Sequence, residues 1–148
     1  MNLIENLTMK GELTVVVRDE TTGLIKQSFT VPNLVVTNGK TYIASRMVGT
    51  AAAVMSHMAI GTGSGTAVVG DAALGIQAGI VAVSAFTAST NTVTATATFP
   101  AGTGTGAIVE AGIFNAASAG TLLCRTTFPV VNKAAGDSIA ITWVVTVS

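Results

Sequence analysis

A mainly β fold is predicted, an antiparallel β-sandwich or barrel with an N-terminal β-hairpin and one short helix. Apolar and polar residues alternate with period two in several short segments, most cleanly in 91–99 and 138–147. Loops rich in Gly, Thr, Asn and Pro separate those segments. The stretches between them leave no room for the crossover helices that a parallel α/β sheet needs.

Residues 12–18 form the first expected strand, with Leu13, Val15 and Val17 on one face. Residues 19–23 turn, and Gly23 is free to take positive φ. Residues 24–31 return with Ile25, Phe29 and Val31 on one face, and Pro32-Asn33 is expected to break the strand. The hairpin is therefore placed at 12–31. The helix is placed at about 37–48, with Thr37 or Asn38 as its cap and with Val36, Ile43 and Met47 sharing a face beside Ala44. Gly49 is the expected stop, and the Ala-rich stretch 50–54 could prolong the helix.

From about residue 56 to 148 the pattern is strand upon strand. Segment 56–61 is short and is followed by a flexible Gly-rich loop at 61–65. Segment 79–86 is apolar, and 91–99 sets Val93, Ala95, Ala97 and Phe99 against threonines. Residues 100–106 are a Gly/Thr loop. Strands 107–114 and 121–128 flank a turn at 115–120, and 129–137 reads as a loop. The last strand, 138–147, puts Ile139, Ile141, Trp143, Val145 and Val147 on one face. The domain organisation is an N-terminal arm at 1–10 and a single β domain at 11–148.

Only 9% of the 148 residues are charged, seven basic and seven acidic, so the formal net charge is zero. Nine of the 14 charges lie in the first 46 residues. Without a basic excess there is no electrostatic footprint for nucleic acid. A disordered chain has low hydrophobicity and high net charge, the reverse of this one. A soluble monomer needs charge over its surface, and net charge near zero favours association. The composition thus points to an exterior covered by other protein. The N-terminus has no basic leader, so no signal peptide is expected. Residues 72–86 are apolar but too short to span a bilayer, so no membrane partner is expected.

No motif carries chemistry. Gly39-Lys40-Thr41 ends like a phosphate-binding loop, but Leu34 stands where the motif needs its first glycine. Gly61-Thr62-Gly63 and the Gly/Thr run 102–106 lack the βαβ setting of a dinucleotide site. His57, the one histidine, is read as a strand residue with a backbone partner rather than as a general base. Asp71, Glu110 and Asp137 stand isolated, with nothing to suggest that they converge. Cys124 alternates with Leu122 and reads as a small core residue. No catalytic residue, metal ligand or cofactor is expected, and the protein is read as a non-enzyme.

Several segments together carry a resemblance: 33–47 (NLVVTNGKTYIASRM), 58–63 (MAIGTG), 110–116 (EAGIFNA), 122–128 (LLCRTTF) and Thr142-Trp143. In this order they resemble small virion structural proteins of tailed bacteriophages, over about residues 12–147. The resemblance implies a capsid cement (decoration) protein that bridges major capsid subunits as a symmetric homo-oligomer, a dimer or trimer. Such a protein is made in the host cytoplasm and sits on the capsid exterior. The alternative is a tail, baseplate or fibre-associated module with a structural or receptor-binding role. A lectin-like domain is a third reading, disfavoured by an aromatic content of 5%. Leu3, Ile4, Leu7 and Met9 of the arm are apolar without a place in the hairpin, and are the expected protein interface, since an extended arm can add to a neighbour's sheet edge.

Overall fold

A computed structural model describes residues 3, 5–50 and 52–148. The elements are β1 (Met9–Asp19), β2 (Ile25–Val35), α1 (Thr37–Met47), β3 (His57–Gly61), β4 (Gln77–Ala82), β5 (Ala85–Ser89), β6 (Thr92–Phe99), β7 (Gly106–Phe114), β8 (Leu122–Lys133) and β9 (Asp137–Val147). The nine strands form one antiparallel sheet in the order β4-β3-β7-β8-β2-β1-β9-β6-β5, curled into a half-barrel. The fold class is the expected one, and the β1–β2 hairpin lies at the middle of the sheet. The arm's last two residues, Met9 and Lys10, already belong to β1, where they pair with Val147 and Thr146.

The sheet turns its corner at β2. Residues 27–33 pair with β1, and Leu34 and Val35 pair with β8. Pro32 therefore does not break the strand. Its carbonyl faces β8 and accepts the Thr126 hydroxyl at 2.7 Å, so its ring nitrogen faces the same way, before the β8 ladder begins at Leu34. A second corner divides the apolar 79–86 segment. The Val83 N–H donates to the Ser56 carbonyl and the Ser84 N–H to the Thr96 carbonyl, so β4 stays with β3 while β5 joins β6. The expected 129–137 loop is shortened likewise. β8 runs through Pro129 to Lys133, and the proline falls where the β7–β8 register shifts.

The helix differs from expectation at both ends. Its N-cap is Val36, with no side-chain cap; Thr37 is already helical and Asn38 is exposed. The Val36 N–H donates to the Leu123 carbonyl and the Thr37 N–H to the Val69 carbonyl, so tertiary backbone bonds place the helix start. Gly39 is buried, and glycine is required there because a Cβ would overlap the Leu123 carbonyl. The Gly39-Lys40-Thr41 motif thus serves close packing of helix on strand. Tyr42 and Ile43 complete the packed face, and Met47, expected on it, is 85% exposed. Gly49, at φ +71°, ends the helix before residue 50.

The concave side holds the main core. Leu13, Val15 and Val17 of β1, Ile139, Ile141 and Trp143 of β9, and Phe99 of β6 face Met58, Ile60, Ile113 and Cys124. Burial pushes the Cys124 thiol pKa up, as befits a core residue. Ile25, expected on the inner face, is 54% exposed, since the β1–β2 register shifts at Val17/Arg18. At the end of the half-barrel near Phe99, the Lys133 ammonium is buried and donates to the Pro100 and Asp137 carbonyls. Burial holds the Lys133 pKa below its usual value, while the Lys26 hydrogen bond to Asp137 depresses that carboxyl.

Candidate functional site

Two places on the molecule are built differently from the rest. The first is the open end of the half-barrel, opposite Lys133. A pocket of about 370 Å³ opens there, lined almost wholly by apolar side chains, among them Met9, Ile43, Met55, Phe86, Trp143 and Val147. Trp143 is fully buried, and its indole N–H has no hydrogen-bond partner among the described residues. A groove beside this pocket runs between the chain entering β1 and the helix, bordered by Leu7, Met9, Ile43 and Met47.

The four expected interface residues fall here or just upstream. Met9 is half-buried and packs against the main core from β1. Leu7 is 76% exposed on the rim of the groove, and Leu3 is 85% exposed. Ile4 lies outside the described residues. Thr8 anchors the arm's base, exchanging backbone hydrogen bonds with Ser148.

The second place is on the convex side of β7 and β8, beneath the long 62–76 connection. Glu110 is completely buried, and both its oxygens are saturated with donors. Oε1 accepts the Gly63 N–H at 2.9 Å and the Ile76 N–H at 2.8 Å. Oε2 accepts the Gly75 N–H at 2.9 Å and Arg125 Nε and Nη2 at 3.0 and 2.7 Å. Arg125 turns its Nη1 to Asp71 at 2.7 Å and donates its Nη2 to the Gly65 carbonyl at 2.8 Å. Burial opposes ionisation of Glu110, but the N–H groups of Ile76 and Gly75, the guanidinium and the Gly63 N–H together hold its carboxyl below the usual range. The Val68 N–H, with Arg125, depresses Asp71.

The glycines of this region acquire a reason. A Cβ at Gly61 or Gly63 would strike the Glu110 carboxylate, and one at Gly63 would also strike the backbone of Gly75. The Gly63 N–H joins those of Gly75 and Ile76 in a cradle for an anion, and the anion is the protein's own glutamate. The loop expected to be flexible is thus tied down through Gly63. Asp71 and Glu110 are not isolated either, since Arg125 joins them across 54 and 15 residues of sequence. The signal that could have found the cluster is one acid and one base, each in the middle of an apolar strand, because a buried charge requires a partner.

The cluster is a clamp rather than a reactive centre: the lone pairs of Glu110 that a general base would use are already engaged. His57 pairs through Nδ1 with the neighbouring Ser56 hydroxyl at 2.8 Å, rather than with the expected backbone group. Among the described residues no carboxylate lies within ion-pairing distance of His57, and no three His, Cys, Asp or Glu side chains group as metal ligands. No helix among the described residues is long and apolar enough to cross a membrane. No protein-family model, curated protein or solved structure matches the chain.

Proposed function

We propose that this protein is a non-enzymatic structural component of a tailed-phage virion, a capsid cement protein that bridges neighbouring major capsid subunits. One observation carries the reading: just before β1, Leu7 stands exposed on the rim of a groove that also carries the exposed Met47, with Leu3 exposed upstream. Large apolar side chains brought together at a surface mark a protein interaction site. The scarcity of charge supports the same role, because a sparsely charged exterior is suited to burial among neighbours. Each contact of such a protein is modest in area, and repetition over a capsid lattice turns modest contacts into firm attachment.

Quantitative mass spectrometry of purified particles tests this reading. The expected result is a copy number in fixed proportion to the major capsid protein, lost in the Leu3→Asp/Leu7→Asp double variant while the free variant stays folded. A copy number matching a tail component would move the protein to the tail. Its absence from particles would overturn a virion role.

A further inference from the structure

We infer that β5 is a self-pairing edge: two copies of this chain join their β5 strands antiparallel about a twofold axis at Thr87, continuing one curved sheet through both molecules.

β5 is the terminal strand of the sheet, and all five of its residues are exposed. Its hydrogen-bonding direction follows from the turn that precedes β6. Ser89 and Thr92 close the two-residue Thr90-Asn91 turn, in which Thr90 takes φ +54°. The pair that closes such a turn exchanges both backbone bonds. By alternation Thr87–Thr94 and Ala85–Thr96 do so too, leaving the N–H and C=O groups of Phe86 and Ala88 pointing away from β6. Among the described residues no backbone partner outside the β5–β6 ladder meets those four groups.

Proteins guard such edges with Lys, Pro or a covering loop. β5 has none of these, and the chain carries no charge between Asp71 and Glu110. β4, at the other end of the sheet, is approached at Gly79 by Gly104 of the 100–105 loop.

The register selects a second copy as occupant. Antiparallel pairing about Thr87 sets Phe86 opposite Ala88 of the second copy and Ala88 opposite its Phe86, a large residue facing a small one twice. Those two pairs use all four outward backbone groups. Thr87 meets its own copy in the non-hydrogen-bonded position, where side chains lie closest and threonine pairs are favourable. Phe86 and Ala88 also line the apolar mouth, so the same contact covers the rims of both pockets.

Two variants of the full chain test this. A proline at Ala88 removes an outward N–H and leaves the β5–β6 ladder intact, so Ala88→Pro keeps its far-ultraviolet dichroism while its mass by sedimentation falls to about half. In Thr87→Cys the facing Cα atoms are about 4.5 Å apart, within disulfide reach, and mild oxidation yields a covalent dimer. Ala85→Cys and Ser89→Cys do not face themselves and stay uncrosslinked, while the buried Cys124 takes no part. A monomeric wild-type protein, unchanged mass in a folded Ala88→Pro, or equal cross-linking at all three positions overturns the inference. Particle binding by Ala88→Pro is scored separately, so failure of self-pairing and failure of the virion role are read independently.

Discussion

The two halves of the curled sheet are built on opposite plans. In β1, β9 and β6 the inner face is core and the outer face is solvated, so Leu13, Val15 and Val17 are buried while Glu12 and Arg18 are exposed. In β7 and β8 both faces are covered, and each contains a run of five consecutive buried residues. There the second cover is the 62–76 connection, which lays Leu74 against Phe114, Leu122 and Ala59 and closes over Glu110 and Arg125. A one-sided sheet can leave its polar residues in water. A two-sided sheet that keeps charges on its outer face must satisfy every one of them internally. The ionic clamp is thus a consequence of the loop's path, and the loop's path depends in turn on the clamp.

Breaking the clamp gives the largest expected effect. Glu110→Gln leaves Arg125 buried without its main counter-charge and should lower unfolding stability by about 3–5 kcal/mol. The solvated half supplies the control. Thr142→Ala, on the exposed face of β9, should change stability by no more than about 0.5 kcal/mol in the same denaturant titration.

Gly63→Ala comes next. The added methyl must displace either the carboxylate or the Gly75 backbone, a strain of about 1–3 kcal/mol. Limited proteolysis should then cut first within 62–76, because the cost falls on the connection rather than on the sheet.

Acid gives a milder form of the same break. The Glu110 carboxyl is depressed in the folded protein below its ordinary value of 4.5, so its stabilisation is complete above that pH. The stabilisation is lost as pH falls from 4.5 through the lower folded value. Urea titrations across that window should show stability falling with pH in the wild type and a shallower slope in Glu110→Gln. The smallest effect is expected at Met47→Ser, which removes a side chain already 85% exposed and should change unfolding stability by no more than about 0.5 kcal/mol.

Period-two alternation made the inner faces of β1, β6 and β9 legible, because side-chain direction in a strand is local geometry. The same reasoning stopped at Pro32 and Pro129, read as breaks. A proline is tolerated in a strand when its nitrogen points where no donor is needed, and that direction is set by the neighbouring strand. Helix existence and its Gly49 stop were legible, but the cap was not, since backbone bonds to Leu123 and Val69 do the work a Thr37 or Asn38 side chain was expected to do. Of the arm, Leu3 and Leu7 lie exposed while Met9 packs against the core, a division that apolar character alone does not make. The convergence of Asp71 on Glu110 and Arg125 was not legible, because linear spacing holds no information about which loop folds back over which strand.

The sequence alone determined the β class, the N-terminal hairpin, the alternating core and the scarcity of charge, all of which follow from residue type and short-range periodicity. Only the tertiary structure decided that the sheet curls at β2 and between β4 and β5, that a glycine-rich loop cradles an internal carboxylate, and that β5 is left as a bare edge. Those features depend on pairings between residues distant in the chain, where the direction of each N–H, C=O and charge is set by the partner it meets.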